Sequence, residues 1–484
     1  MSKFTFCLLL VSLLMFQSQS IGAATVLGSG ENVVNESDNL NDKEPINPVL
    51  DLPRDIKTYV KRHVDETSPC NSIVLNFSNM NIGPTVYNNF IDSSYVNNLS
   101  LAHNKIEEFY NGAFDGLSNL KYLDLSYNKL SPKKMLSFGG HATLETLILD
   151  GNKVDDSVIQ PTESYFIHRH RLYSPLTTTV SPPISISTNN IYPRLKNLSL
   201  RGTSITPSFD NWDQSFPSLE KLDLSNIDLE NVINSEFFKS VPASVKILIL
   251  QSTSLQATIF DNLSNVEELD VTGNSFENGV GFLNCPNLKK LNLFNTKIFN
   301  VPSDLNYQCQ NIEELNMGGN RIEDIDSSAF ENLNKLKVLD LSNNPLKKID
   351  FIASLSQLNT LKLNGMPPKL IESLDNMIFT IYEPNLKYLS IRSNGLTNLP
   401  EKFIKLLTSL EEINLSSNNL SSVTKLPITL KTLNLQNNNI NYLDDNLLRS
   451  LSNLKEIKLG NNPIKQLEIE LISNLPKSCI LNWE

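Results

Sequence analysis

The sequence predicts an α/β-type solenoid, a curved horseshoe of about 16 stacked repeats with a parallel β-sheet on its concave side. Three observations predict this fold. One phrase recurs from residue 70 to residue 466, its copies most often follow each other at 24 residues, and an aromatic position recurs with the same period. Such self-similarity is typical of solenoids, in which each repeat packs only against its neighbours. A chain of 484 residues then forms one elongated domain and not three globular ones.

The recurring phrase is L-x-x-L-x-L-x-x-N-x-L, and clean copies begin at Leu120 and Leu336. Its L-x-L centre alternates apolar and outward-facing residues, as a short strand with one buried face does. An Asn at the ninth position bonds backbone groups of the turn that leaves the strand, and Thr partly replaces it. We therefore expect an amide ladder from repeat to repeat. Met80, Ile227 and Met366 hold this position in three copies, and we expect local irregularity there.

A second apolar position lies six residues before each copy of the phrase. Its members are Phe90, Phe114, Phe138, Phe260, Phe282 and Phe330, with Ile352, Ile404 and Leu448 in the same column. Large side chains that repeat behind the strands fill the interior on the convex side. We interpret them as core residues and not as a ligand groove.

In motif and period the chain resembles extracellular leucine-rich repeat proteins of the typical 24-residue class, such as Toll-type ectodomains, secreted insect leucine-rich immune proteins and cell-adhesion repeats. The resemblance covers residues 70–466 and implies a leucine-rich repeat horseshoe that binds a partner and performs no chemistry. The two cysteine-rich caps of that class are missing, because only Cys70 stands at the start of the repeats and only Cys479 follows them. We therefore expect residues 467–484 to form a different C-terminal cap.

The N-terminus has the pattern of a secretory signal peptide over residues 1–24. Lys3 precedes an apolar run over residues 4–16, and small residues follow it. The run is shorter than the roughly 20 residues that cross a bilayer, although an uncleaved anchor is the alternative. Residues 25–69 form an acidic N-terminal segment and N-cap, and cleavage of a propeptide after Lys61-Arg62 stays open. We expect a secreted, extracellular protein with no membrane span.

Seven Asn-X-Ser triplets predict glycosylation, in agreement with secretion. They begin at Asn35, Asn76, Asn98, Asn197, Asn262, Asn414 and Asn419. Four of them, at Asn76, Asn98, Asn197 and Asn414, fall on the outward strand positions. Sugars there direct a partner toward repeats six to thirteen.

The residue after the first Leu of each copy carries charges of alternating sign. From the third repeat this column reads Lys121, Glu145, Lys196, Glu220, Lys246, Glu267, Lys289, Glu313, Lys337, Asn359, Lys387, Glu411, Lys431 and Lys455. Opposite charges on neighbouring strands, about 4.8 Å apart, stabilise the register of a sheet. A mixed-charge binding strip is the alternative reading.

The same alternation bears on the longest gap between copies. Lys196 follows Glu145 in correct order, so residues 155–193 are predicted to be a loop insertion outside the solenoid. Its Pro, Ser and Thr content agrees with this interpretation. A tolerated insertion and a partner contact both stay open as its role.

Candidate partner-binding residues are the large side chains at positions that face the concave side. They are Tyr122, Arg201, Ile247, Ile249, Phe294, Tyr388 and Arg392. Tyr and Arg are enriched at binding hot spots. Ile247, Ile249 and Phe294 fall within three repeats of each other and are predicted to form the best patch.

Two cysteines lie one repeat apart in one column. Cys285 and Cys309 are therefore expected on successive coils, where a disulfide is geometrically allowed, and two buried thiols are the alternative. Cys479 is a candidate for a disulfide-linked oligomer with a second subunit, with a buried thiol as the alternative.

The sequence carries no catalytic motif, and His168 and His170 are weak metal candidates. We expect no enzyme activity, no cofactor and no metal. The net charge of −11 disfavours nucleic acid as a partner. The predicted function is secreted recognition of a protein or glycan partner on the concave face, with innate immunity as its setting. Inhibition of an extracellular enzyme or toxin, and a role in matrix or cell adhesion, are the alternatives.

Overall fold

The computed structural model describes residues 72–88, 90–153, 190–205, 212–230, 238, 241–256, 258–261, 263–367, 370, 385–399, 401–464 and 474–483. The signal peptide, the segment 25–69 and most of the predicted insertion lie outside these residues. The domain boundaries therefore stay predictions.

One parallel sheet runs through the described chain and contains 17 strands. In order of pairing they are β1 (Ile73–Asn76), β3 (Val96–Ser100), β5 (Tyr122–Asp124), β6 (Thr146–Ile148), β7 (Asn197–Ser199), β8 (Lys221–Asp223), β9 (Ile247–Ile249), β11 (Glu268–Asp270), β13 (Lys290–Asn292), β14 (Glu314–Asn316), β15 (Val338–Asp340), β16 (Thr360–Lys362), β17 (Tyr388–Ser390), β18 (Glu412–Asn414), β19 (Thr432–Asn434), β20 (Glu456–Lys458) and β21 (Ile480–Asn482). The first sixteen correspond to the sixteen predicted repeats, and we number the coils 1–16 by them. The predicted solenoid fold is confirmed.

The pairing joins equivalent positions of successive repeats. Leu123 is paired with Leu147, which in turn is paired with Leu198. β6 and β7 are direct neighbours in the sheet. Because the side chains of a strand alternate between faces, this register buries the central Leu or Ile and turns its two neighbours toward the concave side. In the two end strands the central Leu75 and Leu481 are only half-buried.

Where the structure describes the return segments, they hold short elements only. Two small sheets pair β2 (Thr85–Val86) with β4 (Glu108–Phe109), and β10 (Thr258–Phe260) with β12 (Val280–Phe282). The helices are α1 (Trp212–Ser215), α2 (Leu305–Gln308), a 3₁₀ helix (Asp350–Ser354), α3 (Glu401–Leu406) and α4 (Asp445–Ser450). Asp444 caps α4 by accepting hydrogen bonds from two of its backbone amides.

The phenylalanine column fills the interior behind the sheet, as predicted. Phe114 and Phe138 are buried with ring centroids 5.2 Å apart, and Phe260 and Phe282 are buried 5.3 Å apart. Phe90, in the first coil, is half-buried because fewer neighbours cover it. The core therefore extends as a continuous row along the solenoid.

Each strand leads into a turn that contains one residue with a left-handed backbone. This turn position has φ between 52° and 75° in all sixteen coils, and it immediately precedes the Asn column. Its members are Asn79, His103, Tyr127, Gly151, Gly202, Asn226, Ser252, Gly273, Asn295, Gly319, Asn343, Gly365, Ser393, Ser417, Asn437 and Asn461. The backbone N–H there points along the axis, and that of Asn343 donates to the carbonyl of Asn364 in the next coil.

The amide ladder predicted from the Asn column is present. The Oδ1 atom of Asn344 accepts from the Ile322 N–H at 3.0 Å, and its Nδ2 donates to the carbonyls of Met317 and Leu341 at 2.9 and 2.8 Å. Asn344 is buried. Each Asn thereby joins its own turn to the preceding coil and satisfies backbone groups that water does not reach.

The expected irregularity at Met80, Ile227 and Met366 was wrong for the backbone. The residues before them have φ of 61°, 56° and 61°, the same as in the other coils. The amides of Met80 and Met366 donate to the side chains of Asn104 and Asn394, which belong to the following coil. These two amides thus have an acceptor although their own coil lacks the Asn, because the Asn of the following coil supplies it.

Candidate concave binding surface

The alternating charges form ion pairs along one edge of the sheet. Glu267 accepts a hydrogen bond from Lys289 at 2.6 Å and lies 4.0 Å from Lys246, and Lys121 lies 3.1 Å from Glu145. The Lys289 ammonium holds the pKa of the Glu267 carboxyl below its ordinary value. The predicted ladder is confirmed, with Asn359 and Lys455 as its departures from strict alternation. These pairs are exposed, so each alone contributes little to stability. That the ladder sets the register stays a prediction, with a mixed-charge binding strip as the alternative.

A depression of about 390 Å³ lies on the concave face between β8 and β16. Outward side chains of seven successive strands line it: Lys221, Ile247, Ile249, Glu268, Asp270, Lys290, Asn292, Glu314, Asn316, Val338, Asp340 and Lys362. It lies within repeats six to thirteen, the part of the sheet between the predicted sugar sites. Concave surfaces of this kind are where solenoids offer extended contact area.

Most charged groups of the depression are paired with each other. Lys290 lies 3.6 Å from Glu268 and 3.4 Å from Glu314, and these carboxylates raise the pKa of its ammonium. Lys362 lies 3.5 Å from Asp340. Ile247 and Ile249 are half-buried near the β8 end of the depression, where Lys221 forms no ion pair within the described residues. The depression therefore presents apolar side chains next to neutralised charges, which suits binding of another surface.

The predicted binding residues separate into four places. Ile247 and Ile249 line the depression, whereas Phe294 follows β13 and its exposed ring lies against the backbone of Gly318 and Gly319 in the next coil. Tyr122 and Arg201 belong to coils 3 and 5, and Tyr388 and Arg392 to coil 13. The structure thus brings two of the seven together. Whether any of them contacts a partner stays a prediction.

The sequence reasoning missed Val338, Glu314 and Lys362, which lie across the depression from Ile247. It weighed large apolar, Tyr and Arg side chains above ordinary ones. The available signal was position, because the outward-facing lining comes from the third and fifth positions of the repeated phrase in coils 6–12. A depression made of average residues is visible only when the curvature of the sheet is known.

A separate cluster surrounds Tyr122 in coils 3–5. Burial and the carboxylates of Asp124 and Asp150 raise the pKa of the Tyr122 hydroxyl. Asp150 accepts from the Ser199 hydroxyl and from the Arg201 N–H, and burial raises its own pKa. These groups satisfy one another. Within the described residues no group of three His, Cys, Asp or Glu side chains is placed to hold a metal ion.

The described sugar-acceptor candidates lie along the sheet and its exit. Asn76 and Asn419 are exposed, and Asn98, Asn197 and Asn414 are half-buried. The side-chain amide of Asn197 donates to the Thr146 hydroxyl at 3.1 Å. Asn35 and Asn262 fall outside the described residues. Glycosylation at these positions stays a prediction.

Cys285 and Cys309 are bonded to each other, buried in successive coils with their Cα atoms 4.9 Å apart. Cys479 is a free thiol just before β21, and burial, followed by the charge of Glu456, raises its pKa. A raised pKa leaves less of the reactive thiolate at neutral pH. Its role in an oligomer stays a prediction.

Comparison with known sequences agrees with the architecture. The leucine rich repeat family matches residues 94–154, 310–365 and 384–425. The chain is built from leucine-rich repeats. Lumican of Oryctolagus cuniculus is 47% identical over 57 residues, which are 12% of this chain and 28% of lumican. Osteomodulin of Bos taurus is 26% identical over 235 residues, which are 44% of this chain and 49% of osteomodulin. The chain thus spans about half the length of these relatives, or less.

A solved leucine-rich repeat structure has the same overall course. The leucine-rich repeat protein of Leptospira interrogans superposes with a TM-score of 0.51 at 20% identity, over 88% of this chain and 98% of that one. At this identity the likeness shows the fold alone. The resemblance expected from the repeat motif is confirmed. Among the described residues, no helix is long and apolar enough to cross a membrane.

Proposed function

We propose that this leucine-rich repeat chain is a secreted binding protein that holds an extracellular protein partner in the concave depression between β8 and β16. The observation that carries the proposal is the apolar pair Ile247 and Ile249, which faces the concave side next to the paired charges of the depression. Protein interfaces combine apolar and polar contacts, and a few residues supply most of the affinity. Secretion is supported by the N-terminal pattern and by the Asn-X-Ser triplets.

The setting of this binding is innate immune recognition in the leading version of the proposal. Enzyme or toxin inhibition and a matrix or adhesive role are its rivals, and the identity of the captured partner separates the three. A microbial surface protein supports the first, a hydrolase or toxin the second, and a matrix component the third.

The test is affinity capture from the extracellular fluid with a matched pair of variants. The double variant Ile247→Thr, Ile249→Asn replaces the two apolar side chains by residue types that occupy the same columns in other coils. Ile148→Asn is the control, because Ile148 occupies the column of Ile249 in β6, outside the depression. We expect the double variant to bind the partner at least about tenfold more weakly, and the control to bind as the wild type does. Equal retention by all three proteins would contradict the proposal.

A further inference from the structure

The left-handed turn position is filled by Gly, Asn or Ser in fourteen of the sixteen coils. The exceptions are His103 and Tyr127, with φ of 54° and 52°, in the adjacent coils 2 and 3. A bulky side chain is disfavoured in this conformation, whereas Gly and Asn adopt it readily. The solenoid geometry alone therefore does not call for two aromatic residues here.

The two rings form an exposed aromatic stack, which we define as His103 and Tyr127. Their centroids are 4.5 Å apart and their planes differ by 7°. The opposite face of the Tyr127 ring lies against Gly151 of coil 4, where an added Cβ would come within 2.6 Å of the ring. The faces of Tyr127 are thus covered, while 54% of the side chain remains exposed. What the stack offers to a ligand is its edges, which carry a hydroxyl and imidazole nitrogens.

A lysine stripe runs beside this stack, two residues further along each coil. It consists of Lys105, Lys129 and Lys153, all exposed, in coils 2, 3 and 4. Equivalent residues of stacked coils lie about 4.8 Å apart, so these like charges repel one another. In the part of the chain that the structure describes, none of the three forms an ion pair. Glu107, two residues after Lys105, also forms no ion pair among the described residues.

The same column elsewhere in the solenoid shows that this lack of pairing is not a general property. Lys297 and Arg321 occupy it in coils 9 and 10, and both lie 3.3 Å from the carboxylate of Glu277. Among the residues that the structure describes, the lysine stripe is therefore a basic strip without carboxylate partners, on a chain whose net charge is −11. It lies at the exit of the strands, clear of the sugar-acceptor candidates Asn98 and Asn197 on the strands themselves.

We propose that the lysine stripe and the aromatic stack together bind an anionic polysaccharide, whose sulfate or carboxylate groups contact the lysines. Its hydroxyl groups hydrogen-bond the edges of His103 and Tyr127. A single-stranded nucleic acid is held by bases that stack on aromatic faces, and Tyr127 already contacts His103 on one side and Gly151 on the other. A protein interface has a desolvated apolar centre. The stripe exposes no such centre, because the residues beneath it, Asn104, Ile106 and Asn128, are buried. A hydrophilic polyanion matches what the surface exposes.

The test measures binding of the full chain to heparin as a sulfated probe over a range of salt concentrations. The triple variant Lys105→Gln, Lys129→Gln, Lys153→Gln is expected to raise the Kd about tenfold or more and to flatten the salt dependence. The matched control is Lys297→Gln with Arg321→Gln, which removes two cations from the same column and should leave the Kd within about twofold. Equal weakening by both variants, or absence of wild-type binding at low salt, would overturn the proposal.

A second arm tests the ligand class and the role of the stack. Polyglutamate and single-stranded DNA are offered as competing polyanions, and tighter binding of either than of heparin would contradict a polysaccharide. Tyr127→Asn replaces the ring by a residue that this turn accepts in other coils, so the fold is retained. We expect about threefold weaker heparin binding from the lost hydroxyl contact. An unchanged Kd would remove the aromatic stack from the site.

Discussion

At the scale of single residues, the buried Asn column is what closes each turn of the solenoid. Asn344 satisfies one N–H and two carbonyl groups that are shielded from water. Leaving such groups without partners costs more than the net gain of an ordinary hydrogen bond. The column therefore links residue identity directly to the closure of the coils.

We predict that Asn344→Ala lowers the free energy of unfolding by about 2–3 kcal/mol, because three buried backbone groups lose their partner. Asn344→Thr should cost less, since Thr296 holds the same position and donates to the Leu293 carbonyl at 2.8 Å. The measurement is the urea midpoint of each variant. Asn439→Ala, at an exposed position, is the control. A loss no larger than that of the control would show that the ladder is not energetically important.

How far single residues were predictable depended on whether their role repeats. The Asn column and the phenylalanine column are visible in the sequence because sixteen copies carry the same physical demand. The left-handed turn position was not recognised, although Gly, Asn and Ser dominate it. Its significance rests on φ values, and with them His103 and Tyr127 become the exceptions.

At the scale of elements, most strands of the large sheet are three residues long and gain their order from neighbours. The charge ladder contributes to that order through pairs such as Lys289 with Glu267 and Lys337 with Glu313. Their carboxylates have pKa values below the ordinary value because of the lysine hydrogen bonds. Groups with lowered pKa stabilise the folded state at neutral pH, and that contribution is lost as the pH falls through the lowered pKa values.

We predict that Lys289→Glu lowers the unfolding midpoint at neutral pH and low salt, because it places three glutamates on consecutive coils. The effect should shrink in concentrated salt, which screens exposed charges, and at acidic pH, where the glutamates become protonated. Thermal unfolding at two salt concentrations and two pH values measures it. Lys133→Glu is the control, because Lys133 is exposed, lies outside the column and forms no ion pair among the described residues. A destabilisation independent of both salt and pH would contradict an electrostatic ladder.

The last strand is the element that sequence reasoning missed. β21 pairs with β20, and Leu481 occupies the place of Ile457 exactly one 24-residue period later. The first position of the phrase is Ser478 and not an apolar residue, so the motif did not reveal this copy. Pairing to an existing sheet tolerates this departure, because β20 supplies the backbone partner. The predicted C-terminal cap over residues 467–484 thus includes a strand, and residues 465–473 lie outside the described part.

At the scale of the whole molecule, the repeat pattern predicted the architecture because each coil repeats one local solution. The depression could not be predicted in the same way. It arises from seven strands together, and its lining combines two isoleucines and a valine with ordinary polar and charged residues. Two of the seven proposed contact residues fall inside it, and the others were chosen by residue type at positions that the curvature does not bring together.

The two proposed surfaces divide the solenoid into regions with different chemistry. The depression in coils 6–12 combines paired charges with apolar side chains, whereas the lysine stripe in coils 2–4 has charges that form no ion pair among the described residues. Because contacts in a solenoid are local, variants in one region should leave the other unaffected. We therefore expect the chain to bind a protein and a polyanion independently.

The most direct test of the central claim is hydroxyl-radical footprinting of the chain alone and in complex with its captured protein partner. We predict protection of Ile247, Ile249 and Val338, which line the depression. The oxidation of Tyr122 and Tyr388, on either side of it, should not change. Protection of Tyr122 or Tyr388 while Ile247 and Ile249 remain as reactive as in the free chain would contradict it.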